Sequence, residues 1–355
     1  MKVFFDDGEY DTEDPVDSIY ITAKRNTAKY CSRFIRGSTH LAAFSPDSKK
    51  IAIADRESGP RIDLFDLETL EITSTFVTIS TEKTDHKTKG LRNSFRAIVF
   101  SQDGRNLYAL DSYGYLHAWS VNDNERLWGT KCDLPCDSAS SSGRLVSVAD
   151  NVKLLVCGIS IYNSDTGELK TNLIKDVGIT YETDIYHVSL SPDGSKYAIG
   201  FLESGHPSVT IVDIFSKKVH SSFIFEKPQS LERYNIRQLE FSPNRDSLLV
   251  VKDTGCNLIK LSSTGDSEEN RFFAMDDLTL LKGARFLRDS DQIVVLHEDG
   301  LIETRYIDIL DRVAIEKGSP FPYVSMSDSH MFEVSPDTFW IITSNNREIR
   351  LDHIN

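Results

Sequence analysis

The chain is short of cysteine, has no long apolar run and carries no glycan acceptor. Five cysteines (Cys31, Cys132, Cys136, Cys157, Cys256) stand at irregular spacing in 355 residues. An odd count without a repeating spacing argues against a disulfide framework, so reduced thiols are expected. No segment approaches the roughly 18 apolar residues that a spanning helix needs, so no membrane span is expected. The opening Met1-Lys-Val-Phe-Phe-Asp-Asp-Gly-Glu9 has acid where a signal peptide would carry its apolar stretch. With no Asn-x-Ser/Thr anywhere, the expected location is intracellular, cytoplasmic or nuclear.

Basic residues are outnumbered, 40 against 54 acidic, for a formal charge of −14. That balance argues against nonspecific binding to nucleic-acid phosphates, which needs a basic excess, although a local basic face is compatible with it. Catalytic signatures are absent as well. The nine histidines form no His-Glu-x-x-His or His-x-His pair, and there is neither a phosphate-cradling Gly-x-x-x-x-Gly-Lys nor a Gly-x-Ser-x-Gly elbow. No cofactor is expected. Cys132 and Cys136 have a metal-like spacing, but no second Cys or His pair follows at finger distance, which favours ordinary loop thiols.

What is present is a repeat. Hydrophobic residues at 39% and charged residues at 26% allow a sizeable core. Along the chain an apolar strand ends in Ser-Pro-Asp or a relative, turns tightly, and is followed by a second apolar strand. Clear copies are His40 to Asp47, Ala97 to Gly104, Val188 to Gly194 and Leu239 to Asn244. Weaker ones run from Val146 to Asp150, Ala284 to Asp289 and Phe332 to Asp337. Taking Phe44, Phe100, Val148, Leu190, Phe241, Phe286 and Val334 as equivalent anchors, the intervals are 56, 48, 42, 51, 45 and 48 residues, with no room for a hidden copy.

Proline presets one backbone angle of the turn and aspartate or serine bonds local amides, so the motif closes a hairpin between two strands buried on both faces. A third strand follows in each copy: Ile62–Asp66, Leu116–Ser120, Ile159–Asn163, Val209–Asp213, Leu258–Leu261, Ile302–Tyr306 and Ile349–Asp352. Polar turns such as Asp165 to Glu168 and Ser216 to Lys218 then lead into a fourth, more solvated strand. No stretch sustains a 3.6-residue period over three turns.

Repeats of four strands predict an all-β fold, a seven-bladed β-propeller of four-stranded antiparallel blades. The last copy has only three strands, so an N-terminal strand, either Ile19–Thr22 or the favoured Tyr30–Phe34, is expected to close the C-terminal blade. The propeller would span 18–355. Residues 1–17, with seven acids against Lys2, would form a flexible segment, or else contact a basic partner.

Over 18–355 the copies resemble WD40 repeats. The family's Trp-Asp dipeptide is replaced by Phe65-Asp66, Trp119-Ser120, Tyr162-Asn163, Val212-Asp213 and Leu351-Asp352, and Gly205-His206 lies between second and third strands rather than at the front of a repeat. The resemblance implies a scaffold that presents its top face and rim to protein or peptide partners in a multi-subunit complex. The alternatives are a lactonase-like hydrolase, with His, Arg and carboxylates converging on the central channel, and a phosphoinositide or nucleic-acid binder with a basic face. Phe34-Ile-Arg-Gly37 is similar to the Phe-Arg-Arg-Gly motif of phosphoinositide-binding propellers, minus its first arginine.

By repeat position the segment Thr81 to Asn93, with Lys83, Lys87, Lys89 and Arg92, opens on the implied top face as a binding loop or a solvated insertion. Further top-face candidates lie after second strands or at the start of first strands: Arg56, Arg96, Tyr113, Tyr115, Lys252, Arg285, His297 and Arg347. Arginine and aromatic side chains dominate interface energetics, while an exposed rim residue is the plain alternative for each. Asp137 to Gly143 is a Ser-rich loop open to phosphorylation.

Overall fold

The computed structural model describes residues 3–5, 21–25, 31–36, 39–55, 60–78, 94–132, 146–172, 185–226, 235–253, 255–261, 269–274, 281–287, 292–297, 302–306, 331–337, 340–344 and 348–353. Apart from 3–5, the acidic segment 1–17 lies outside them, as do 79–93 and 133–145.

The strands in chain order are β1 (Val3–Phe5), β2 (Ile21–Arg25) and β3 (Cys31–Arg36), then β4 (Thr39–Phe44), β5 (Lys50–Asp55), β6 (Arg61–Asp66) and β7 (Ile72–Val77). Next come β8 (Phe95–Phe100), β9 (Asn106–Asp111), β10 (Tyr115–Ser120) and β11 (Glu125–Lys131), followed by β12 (Val146–Ala149), β13 (Leu154–Cys157), β14 (Ser160–Asn163) and β15 (Leu169–Asn172). Then come β16 (Ile185–Leu190), β17 (Lys196–Glu203), β18 (His206–Asp213) and β19 (Lys218–Ile224). After β20 (Ile236–Phe241), β21 (Ser247–Lys252), β22 (Gly255–Lys260) and β23 (Glu269–Ala274) come β24 (Leu281–Phe286), β25 (Gln292–His297) and β26 (Ile302–Tyr306). The chain ends with β27 (Met331–Val334), β28 (Trp340–Ser344) and β29 (Glu348–His353).

Among the described residues these form seven sheets, five of them four-stranded meanders (β4–β7, β8–β11, β12–β15, β16–β19, β20–β23). The sixth, β24–β26, shows three strands, and the residues after Tyr306 that would supply a fourth lie outside the described set. The seventh has the order β1-β2-β3-β29-β28-β27, with β3 antiparallel to β29 and Ile35 opposite Ile349. Each anchor residue lies at or next to the end of the first strand of its sheet. First strands neighbour one another in succession, β4 beside β8, β8 beside β12, and so on to β24 beside β27 and β27 beside β4.

Alternation explains why the second strands are the most buried. On β5, Ile51 and Ile53 join one core cluster and Ala52 and Ala54 the next. On β9, Leu107 and Ala109 face the first sheet, while Tyr108 and Leu110 face the third. A period of two therefore glues each sheet to both neighbours, and a fully buried Leu or Ile contributes about 2 kcal/mol. Outer strands show the opposite pattern: β11 and β19 are mostly exposed along their length.

The turn between first and second strands uses one chemistry five times. Ser45 Oγ donates to Asp47 Oδ1 (2.6 Å) and accepts from Lys50 N–H (2.9 Å). The same pair of bonds recurs at Ser101 with Asp103 and Asn106, Ser191 with Asp193 and Lys196, Ser242 with Asn244 and Ser247, and Ser335 with Asp337 and Trp340. The residue three after each of the first four serines is left-handed. Glycine supplies that φ at Gly104 and Gly194, whereas Ser48 and Arg245 adopt it with a side chain. The third sheet departs: a 3-10 turn, Asp150–Val152, replaces the motif. Third strands end beside these turns, where Asp66 caps the next turn by accepting the amides of Glu68 and Thr69 (both 2.9 Å).

Candidate functional site

The first strands of all seven sheets line a central cavity of about 540 Å³, together with several of the Ser-Pro turns. The residue just before the anchor reaches this cavity as Ala43, Val99, Ser189, Glu240, Arg285 and Glu333. Three of them, on neighbouring strands β20, β24 and β27, are charged with alternating sign. Arg285 donates from Nη2 to Glu333 Oε1 (2.6 Å) and from Nη1 to Glu240 Oε2 (3.4 Å). Gln238 Nε2 donates to the same Glu240 oxygen (3.1 Å) and to the Ala284 carbonyl (2.6 Å). The Arg285 side chain is 6% exposed, against 13% for Glu333 and 24% for Glu240, so the triad is held largely away from water with one net negative charge. Losing one partner of such a set costs about 3–5 kcal/mol, because a buried charge is left uncompensated.

At the opposite end of the second sheet stands another buried network. His117 Nε2 is 3.1 Å from Asp111 Oδ2, and Arg126 Nη2 is 3.3 Å from His117 Nδ1. A guanidinium only donates, so Nδ1 accepts, and Nε2 carries the proton given to Asp111. The other Asp111 oxygen accepts the amides of Tyr113 (2.9 Å) and Tyr115 (2.8 Å) across the β9–β10 turn. His117 stacks on Trp119 at 5.5 Å, and Phe95 meets both rings edge-on. Gly129 makes room for this arrangement, since a Cβ there would lie 1.9 Å from Arg126 Nη2.

In the fifth sheet the corresponding turn is held by Asp253, which accepts the amide of Asn235 (2.8 Å) and the Nε–H of Arg237. Its neighbour Lys252 is buried with Nζ 4.5 Å from the centre of the Phe225 ring. Burial pulls the Lys252 ammonium down to about 8, with the nearby Cys256 opposing the shift. The acids of the Ser-x-Asp turns move as carboxylates in good hydrogen bonds do. At Asp47 and Asp193, partial burial pushes up, but the serine hydroxyl, backbone amides and nearby cations win, and the carboxyl ends below its ordinary 3.8.

The sequence-selected residues are thus dispersed. Arg96 is half-buried near the start of β8, Tyr113 and Tyr115 flank the Asp111 turn, and Lys131 Nζ sits 5.4 Å over the Tyr115 ring. Lys252, Arg285 and His297 are buried rather than exposed on a rim. Arg285 also lies near the Ser-Pro turn end of β24, opposite the end occupied by Arg96, because it falls just before the anchor Phe286. Arg56, Lys83, Lys87, Lys89, Arg92 and Arg347 lie outside the described residues, as do Cys136, Gly37 and 137–143. Cys132 instead meets Cys157, with sulfurs 2.7 Å apart. Sequence reasoning missed Glu240 and Glu333. Their signal was available, since the position before the anchor is apolar or serine in the earlier copies and reads Glu, Arg, Glu in the last three.

Stacked four-stranded antiparallel sheets, with first strands around a cavity, define a β-propeller. The β-propeller domain of Cps50 (Swd1) from Myceliophteria thermophila superposes with a TM-score of 0.67 at 12% identity, over 91% of this chain and 100% of that one. Hydrazine synthase from Kuenenia stuttgartiensis gives 0.66 at 14% identity, over 90% and 96%. No protein-family model matches the chain, and no curated protein matches it in sequence. The fold that these likenesses show is a β-propeller.

Proposed function

We propose that the seven sheets are the blades of one closed ring, sealed by β3 pairing with β29, and that the ring is a non-catalytic interaction scaffold inside the cell. Protein or peptide partners would dock on its strand-end face and rim within a larger complex. The observation that carries this reading is the use made of the cavity's ionisable groups: Arg285 is shared between Glu240 and Glu333, so these charges tie three strands together. Meanwhile large apolar side chains stand in solvent on outer strands and turns, among them Phe215 at 66% exposure and Ile224 at 61%. A WD40-like fold supports the reading by analogy.

The same triad is also the one observation that favours the hydrolase alternative, since arginine and carboxylates do converge on the cavity. Hydrolysis would need one of them released to hold or move a proton, and mutual pairing opposes that. Purification of the tagged full chain from its native cell, followed by mass spectrometry, tests the scaffold reading. Stoichiometric co-purifying subunits are expected; a lone monomer that turns over ester or lactone substrates, and loses that activity in Glu333→Gln, would replace it.

A further inference from the structure

We infer that Cys132 and Cys157 form an oxidation site that closes into a disulfide and staples the second sheet to the third. Their sulfurs stand 2.7 Å apart, closer than ordinary van der Waals contact and longer than the roughly 2.05 Å of a bond. Cys132 Sγ also lies 3.6 Å from the Cys157 carbonyl oxygen. Both thiols are reduced in the structure and belong to one apolar cluster between the two sheets.

Rigid elements hold the pair. Cys132 directly follows β11, and its amide donates to the Gly114 carbonyl (2.7 Å) in the β9–β10 turn. Cys157 ends β13 between Val146 and Ser160. The two residues are 25 apart in sequence. A cross-link there closes a loop through 133–145 and joins an outer strand of one sheet to an inner strand of the next.

The order of events follows from access. Cys157 is 0% exposed and Cys132 3%, and burial together with the neighbouring Cys132 sulfur pushes the Cys157 thiol well up. Cys132 is therefore oxidised first, by an oxidant small enough to reach it, hydrogen peroxide. Its sulfur takes one peroxide oxygen to become a sulfenic acid, and the other oxygen leaves as water. Cys157 sulfur then attacks the Cys132 sulfur, and the sulfenic oxygen departs as a second water with the Cys157 proton. Two thiols lose two electrons, and peroxide gains them.

The full-length protein is treated with hydrogen peroxide, denatured, alkylated and mapped by peptide mass spectrometry. A peptide pair joining Cys132 to Cys157 is expected, absent after dithiothreitol, with the buried Cys256 still alkylated. The cross-linked form is expected to melt about 5 °C higher than the reduced one. In Cys157→Ser, Cys132 should stop at a sulfenic acid that dimedone captures; if that variant fails to fold, the wild-type map alone decides. A link from Cys132 to Cys136, full alkylation of both Cys132 and Cys157, or an unchanged melting point would overturn the proposal.

Discussion

The two ends of the sheets are built on different principles. At the turn end, one motif recurs in five sheets, a serine hydroxyl donating to the side-chain oxygen two residues on, aspartate in four and Asn244 in the fifth, at 2.5–2.7 Å. At the opposite end the solutions differ: Asp111 with His117 in the second sheet, Asp253 with Arg237 and a buried lysine in the fifth, and the sulfur contact of Cys132 after β11 with Cys157 of the third sheet. A repeat can specify bonds made within about five residues. Bonds between more distant strands, and between sheets, must be settled site by site.

The largest effect should come from the cavity at the turn end. Arg285→Ala removes the guanidinium that Glu240 and Glu333 share, and is expected to cost about 3–5 kcal/mol in chemical denaturation. Adding Glu240→Gln and Glu333→Gln should recover much of that; no recovery would mean that packing of the guanidinium, not charge, is what matters. At the opposite end, Asp111→Ala strips two amides and His117 of their acceptor. A loss of about 2–3 kcal/mol is expected, with the near-ultraviolet signal of Trp119 changed.

Lys252→Met should act in the other direction. The folded state prefers neutral Lys252, with a value of about 8 against an ordinary 10.5, so the unfolded chain binds the extra proton between those pH values. Wild-type stability therefore rises with pH across that window, and the cost of burying the charge is fully present below it. The variant should be more stable by of order 2 kcal/mol at pH 7, with the gap closing towards pH 10.5. A gap independent of pH would assign the effect to packing on Phe225.

Smaller still, Ser242→Ala leaves the buried Ser247 amide without its acceptor and should cost about 1–2 kcal/mol. The equivalent change at Ser101 should cost a similar amount if the turns are truly equivalent. Acid tests the turns together. The carboxyls of Asp47, Asp103 and Asp193 titrate below 3.8, so their contribution is present above that pH and lost as pH falls through the lower folded values. Asp193→Asn should flatten part of that acid slope in unfolding curves measured from pH 5 downwards.

Much of the fold was legible because its causes are local. Ser-Pro-Asp followed by alternating apolar residues places a turn, two buried strands and their anchors. Even the weak copy at Val146 yields its strand pair, although its turn became a 3-10 segment. The site was less legible. Arg285 and Lys252 were selected for residue type at an assumed exposed end, yet exposure depends on what neighbouring sheets bring. Phe225 covers Lys252, and two glutamates enclose Arg285.

The sequence by itself determined the all-β character, the order of strands within each copy, and the turn chemistry, because these depend on torsion preferences and on hydrogen bonds a few residues long. Only the tertiary structure decided which charges share the cavity, and that Cys132 meets Cys157 rather than Cys136. Those outcomes depend on bringing separate sheets to within bonding distance, and no local pattern encodes that distance.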